Sequence, residues 1–320
     1  MTILVTGSLA YDHIMDFPGY FREHILPEKV HILNVSFLVG SLRKLRGGTA
    51  SNIAYNLTLL GEKTSIMGTV GHDFQDYRVW LHEIGVDTHA IKVIPHEFTA
   101  SCFITTDKSG NQITGFYPGA MAHAHELSLS DYRYQDWGIA IVSPNDPKAM
   151  LQHAEQCREM KIPFIFDPGQ QSIALSGEDL KNGATGSCLV VGNDYELEIF
   201  RTKTGMSPED ILEISEMVAI TKGEFGSTLL TRNETVDVTA VPALEVRDPT
   251  GAGDAYRAGI IKGLVAGYSL KETGQIASLS AVYCVENYGT QNHRYTPAEL
   301  KQRYEENFGV FPKTNQIKWV

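Results

Sequence analysis

Asp254 closes the run Asp248-Pro249-Thr250-Gly251-Ala252-Gly253-Asp254, an acid set beside small residues. Val236 to Val246 before it is a β-branched stretch that reads as paired strands, and apolar residues recur at helical spacing from Ala255 to Ala266 after it. The run is therefore a glycine-rich turn opening a helix. A helix N-terminus leaves backbone N–H groups unpaired and carries the positive end of the dipole, and small residues let an anion approach that backbone. Gly251, Ala252 and Gly253 thus offer an anion hole. Asp254 could take a proton from a hydroxyl while the hole holds the charge that develops on a transferring phosphoryl group. The plainer reading is a tight turn with a helix cap. No G-x-x-x-x-G-K-[ST] occurs, so the run is not a Walker-type phosphate loop.

Other clusters could serve polar ligands. Asp12 follows the strand-like run Ile3 to Ser8, at the carboxyl edge where parallel sheets bind ligands; it could accept two vicinal hydroxyls or be a solvated turn residue. Gly47 and Gly48 form a second small-residue turn feeding a helix to about Leu60, and Asn52, one turn in, can donate to and accept from a sugar hydroxyl. Gln170 and Gln171 follow Asp167-Pro168-Gly169 at another strand end, where they could bond a nucleoside or simply be solvated. Asn193 and Glu196, three apart at a helix start, present oxygens suited to Mg²⁺ and equally make a capping box. Thr221, Lys222 and Gly223 to Gly226 form a turn whose N–H groups could meet ATP phosphates. His123 and His125 could face a metal together on a strand, with no third ligand motif nearby and a solvated loop as the plain alternative.

These residues need a scaffold. From Gly138 onward strands at Ile139 to Val142, Phe164 to Phe166, Cys188 to Val191 and Met217 to Ile220 alternate with helices at Pro147 to Met160, Gly177 to Gly183 and Asn193 to Ile199, an α/β pattern. A helix follows from Leu270 to Tyr288. Phe98 to Thr106 and Asn111 to Tyr117 alternate around Asp107-Lys108-Ser109-Gly110, a hairpin signal. With an irregular excursion over Phe17 to Phe37, and short strands near His31 to Val39, this hairpin is expected to form a separate small sheet covering the ligand. Phe103 and Phe116 are candidates for base stacking or for the core of that cover, core packing being favoured.

The chain has 320 residues, 42% hydrophobic and 20% charged, as an ordinary globular protein does. A net charge of −11 with no basic block argues against nucleic acid as a partner, and no apolar run reaches transmembrane length. The N-terminus lacks a basic leader, and the four cysteines, Cys102, Cys157, Cys188 and Cys284, are scattered, as reduced thiols of a cytoplasmic protein would be.

The run around Asp254 and the Gly47–Gly48 turn, in this order and separation, resemble the two signatures of the ribokinase-like (PfkB) family of small-molecule kinases. The resemblance covers essentially the whole chain. It implies a single ribokinase-like three-layer α/β/α domain over residues 1–320, with a mostly parallel central sheet and a small β-sheet lid from segments near 13–45 and 96–120. It also implies ATP and Mg²⁺ as cofactors, Asp254 as catalytic base, and Asn193 with Glu196 ordering Mg²⁺ through water. In this family Asn287 to Gln291 closes the adenine pocket and, in some members, a K⁺ site lies beside Asp248. Val5-Thr6-Gly7-Ser8-Leu9-Ala10, Phe116-Tyr117-Pro118-Gly119-Ala120-Met121 and Asn145-Asp146-Pro147 look most like bacterial adenosine kinases. By that likeness Ser8, Asp12, Ser36, Gly48, Asn52, Phe116, Gln170 and Gln171 line a nucleoside site, and the reaction is adenosine to AMP. A sugar kinase for ribose or fructose is the alternative, and an inactive nucleotide-binding regulator a third reading. One departure is Cys102, where those kinases carry a stacking phenylalanine; a lost ring costs about 1–3 kcal/mol of stacking and admits a different nucleoside. A lid sheet leaves a face uncovered, so a homodimer through the lids is expected.

Overall fold

A computed structural model of the chain describes residues 1–25, 31–32, 34–132 and 134–314; Pro27 and other parts of the first lid segment lie outside them. Thirteen strands are described: β1 (Thr2–Thr6), β2 (Ala10–Asp16), β3 (Ser41–Gly47), β4 (Thr64–Gly71), β5 (Ile91–Ile94), β6 (Ala100–Thr106), β7 (Gln112–Tyr117), β8 (Trp137–Val142), β9 (Phe164–Phe166), β10 (Leu189–Asn193), β11 (Met217–Thr221), β12 (Ser227–Thr231) and β13 (Thr235–Val238). The helices are α1 (Thr49–Leu59), α2 (Gln75–Glu83), α3 (Pro147–Glu159), α4 (Gly177–Ala184), α5 (Asp194–Thr204), α6 (Pro208–Ile211), α7 (Ala252–Ala266), α8 (Leu270–Val285) and α9 (Pro297–Phe308).

Nine strands form one sheet in the order β13-β12-β11-β10-β9-β8-β1-β4-β5, parallel except at β12 and β13. The side-chain period of two sends Ile3, Val5, Ile139 and Ile141 to one face with α1, α7 and α8, and Leu4, Ala140, Val142 and Val190 to the other with α3, α4 and α5. Both faces of the central strands are therefore buried, as the continuous apolar runs require. Four strands form the second sheet, in the order β3-β2-β6-β7. It is the lid.

Three local expectations change. Asp12 lies inside β2 rather than on a turn. Residues 34–39 carry no strand, and the lid strand begins only at Ser41. The stretch from Val236 to Val246 pairs only through Val238, and Leu244 and Val246 are exposed beyond it; Pro242 lacks the N–H a ladder needs.

Candidate active site

A cavity of about 620 Å³ opens between the lid and the carboxyl ends of the central strands. Ser8, Asp12, Gly48, Asn52, Phe116, Gln170 and Gln171 all line it, together with Cys102, Asn193, Glu196, Gly251, Gly253, Asp254 and Arg257. Ser36 is exposed and does not line the cavity.

The N-termini of α1 and α7 face this cavity. Gly251 caps α7 in the left-handed region, at φ 82, and no side chain occupies the cap. A Cβ at Gly251 would come within 2.9 Å of Thr290, so glycine is required both by angle and by space. The Ala252 N–H turns back to the Pro249 carbonyl at 3.2 Å, so the open part of this turn is Gly251 and Gly253 with Asp254. Gly48 caps α1 at φ 95, and a Cβ there would meet the Ser8 carbonyl at 2.5 Å. Ser8 also accepts from the Thr49 N–H at 3.1 Å, so its hydroxyl closes the helix end as well as facing the cavity.

Asp254 sits at the meeting of these helices. Asn52 donates from Nδ2 to Asp254 Oδ2 at 2.8 Å. Gln291 in turn donates from Nε2 to Asn52 Oδ1 at 2.7 Å and to the Tyr77 hydroxyl at 2.7 Å. Since Nε2 serves both, the amide orientation of Gln291 fixes that of Asn52, whose donor end then faces Asp254. Burial pushes the Asp254 carboxyl up to about 7, against the pull of Arg257 and Asn52 and with Asp167 and Glu196 pushing the same way as burial. A carboxyl held there is poised to exchange a proton near neutral pH. Asp12 is likewise pushed up to about 6, by burial first and by Asp248 second.

Arg257 is the residue that sequence reasoning missed. It is buried, one turn after Asp254 on α7, and grips Asp167 through Nε and through Nη2 at 2.7 Å. Its Nη2 also lies 3.7 Å from Glu196. The i, i+3 spacing from Asp254 was the available signal. Asn193 and Glu196 form the reciprocal cap of α5, the Asn193 N–H donating to Glu196 Oε2 at 2.9 Å and the Glu196 N–H to Asn193 Oδ1 at 2.7 Å. The pair remains an oxygen-rich donor set facing the cavity, which fits Mg²⁺.

The remaining expected ligand residues lie elsewhere. Thr221 pairs in register with Asn193, placing the 221–226 turn at the same sheet edge although it does not line the cavity. Lys222 directs its ammonium away along β12, donating to Thr228 at 2.6 Å. Asn287 donates to the Tyr283 carbonyl at 3.0 Å at the end of α8. Asp248 accepts from the Thr250 N–H and the Gly289 N–H, each at 2.9 Å, tying the approach to α7 to the turn after α8. On the lid, Cys102 and Phe116 face each other across β6 and β7 and both line the cavity. Phe103 points out of the opposite face, 43% exposed and stacked on His13 at 4.7 Å, so it is neither lid core nor base contact.

The pfkB family carbohydrate kinase model matches residues 6–297. A nucleoside kinase of Methanothermobacter thermautotrophicus is 30% identical over 97% of each chain, and one of Methanocaldococcus jannaschii is 31% identical over 95% of this chain and 97% of that one. The structure of a Burkholderia thailandensis nucleoside kinase in complex with inosine superposes with a TM-score of 0.87 at 39% identity, covering 97% of this chain and 99% of that one.

Proposed function

The chain belongs to the pfkB family of carbohydrate kinases, phosphotransferases acting on a hydroxyl acceptor, and from that premise we propose that it is an ATP-dependent kinase phosphorylating the 5′-hydroxyl of a purine nucleoside, with adenosine as the leading substrate. The observation that carries this reading is the position of Asp254, a carboxyl near neutrality beside an uncapped helix N-terminus in a cavity that also presents Asp12 and Asn52. Asp12 and Asn52 hold the ribose hydroxyls. Asp254 takes the 5′-hydroxyl proton as the oxygen attacks the γ-phosphorus, and the α7 N-terminus at Gly251 and Gly253 receives the charge spreading over the phosphoryl oxygens. Asn193 and Glu196 are the residues that would hold Mg²⁺ through water, and the ion would supply neutralisation of the phosphate charge. The 221–226 turn holds phosphates through its backbone rather than through Lys222. Asp248, which accepts from two N–H groups beside Gly289, is the residue that would hold K⁺.

The base lies between Cys102, Phe116, Gln170 and Gln171. The inosine complex of the Burkholderia relative supports a purine in this place, and glutamine amides offer donors and acceptors to a 6-amino or a 6-oxo group alike. The outer lid face, with Leu42, Phe103 and Ile113 exposed, is read as the contact with a second copy.

The test is ADP release from MgATP over adenosine, inosine, guanosine, cytidine, ribose and fructose. Turnover on adenosine sustains the full proposal, turnover on another purine nucleoside moves only the base, and turnover on free sugars alone overturns it.

A further inference from the structure

His123 has partners that lie far off in sequence. Its Nε2 stands 3.7 Å from Glu97 Oε1, and its ring meets that of His96 at 5.5 Å. One ligand atom from each of His96, Glu97 and His123 lies within 4.8 Å of the others. His125, the neighbour expected from spacing, turns away to Asp146 at 3.2 Å.

The surroundings prepare these three groups for a metal. His123 Nδ1 lies 2.8 Å from Glu126 Oε1. A carboxylate only accepts, so Nδ1 carries the proton and the Nε2 lone pair faces the cluster, the carboxylate–histidine arrangement that orients metal-ligating imidazoles. Glu126 is itself held by Lys92 at 2.7 Å. Glu97 divides its oxygens: Oε2 accepts from the Tyr117 hydroxyl at 2.6 Å, leaving Oε1 toward His123. Around a tetrahedral ion with bonds of about 2.0–2.1 Å the ligand atoms stand roughly 3.3 Å apart, so the His123 to Glu97 edge is nearly formed and exposed His96 has room to close the third corner.

We propose that His96, Glu97 and His123 bind a divalent transition-metal ion of the Zn²⁺ type, tying the segment that enters β6 to the segment that leaves β7. Two imidazoles and one carboxylate suit Zn²⁺ better than Mg²⁺ or Ca²⁺, which prefer oxygen. The site lies at the base of the lid hairpin and is separate from the cavity, whose lining includes none of the three. It does not depend on which hydroxyl the enzyme phosphorylates.

The experiment is calorimetric titration of the chelator-treated full chain with ZnCl₂, without nucleotide, alongside a Co²⁺ absorption spectrum. One Zn²⁺ per chain is expected, lost in His123→Ala and His96→Ala, kept in His125→Ala, and weakened about 10-fold to 100-fold in Glu126→Gln, which removes only the orienting carboxylate. Hydrogen exchange should slow on Zn²⁺ addition over residues 95–100 and 117–124 of the wild type and not of His123→Ala. No binding, binding indifferent to His96 and His123, or a Co²⁺–thiolate band that disappears in Cys102→Ser would overturn the site. Binding without protection of the two segments would overturn the clamp.

Discussion

To act as the proposed base Asp254 must be ionised, yet burial favours its protonated form and pushes it up to about 7. The rate constant kcat/KM should therefore rise as pH climbs through about 7 and level off above it. Asn52→Ala removes a donor that favours the ionised form, so the limb should move to higher pH, whereas loss of packing alone would lower the whole profile evenly; a pH series on both proteins distinguishes these outcomes. Asp254→Asn should cost roughly 10²–10⁴-fold in kcat with nucleoside binding retained, which single-turnover kinetics and calorimetry would show; turnover within tenfold of wild type would remove Asp254 from its role. The stability effect has a definite sign. A carboxyl whose folded value lies above its unfolded value of about 3.9 binds its proton more tightly when folded, so ionising it costs stability increasingly from that value up to about 7. Asp254→Asn should then be more stable than wild type in urea at pH 8 and indistinguishable at pH 3.

At the scale of elements, Arg257 fastens α7 to the end of β9 through Asp167, and both side chains are withdrawn from water. Arg257→Met leaves Asp167 as an uncompensated buried charge, and the expected loss is about 3–5 kcal/mol, read from the urea midpoint. Asp167→Asn in the same chain should restore part of that loss; no restoration would mean the cost is packing. Such pairings mark what a sequence conceals. Asp254, Gly251 and Gly253 are legible because a glycine turn and the helix it opens are contiguous, and β8 to β11 are legible because buried parallel strands are short apolar runs between helices. Asp12 reads as a turn residue because β2, Ala10–Asp16, mixes charged and apolar side chains and so offers no continuous apolar run. Arg257 and Asp167 are 90 positions apart and Gln291 and Asn52 are 239 apart, so neither pair leaves a local pattern. His96 and Glu97 escape notice for the same reason, since their partner at His123 is brought back by the whole β6–β7 hairpin.

For the molecule as a whole, the open question is what covers the outside of the lid. Alternation along β2, β6 and β7 sends Asp12, Cys102 and Phe116 toward the cavity and His13, Phe103, Gly115 and Ile113 to the other face, where Leu42 of β3 joins them opposite Met15. Leu42 is 63% exposed and Ile113 44%; α2 packs on this face only at its Tyr11 end, against Tyr77, among the described residues. The same face of a second copy would be self-complementary about a two-fold axis, and a stable contact asks for about 800 Å² per partner. Light scattering of the wild type should give a dimer, and Leu42→Asp with Phe103→Asp should give a monomer, since two facing pairs of carboxylates would be buried without partners. Both substituted residues lie outside the cavity lining, so a lid that depends on its partner for rigidity should show the dissociation as a raised KM for nucleoside with KM for ATP little changed. A monomeric wild type would refute the interface, and a monomeric variant with unaltered KM would show that the lid holds its shape alone.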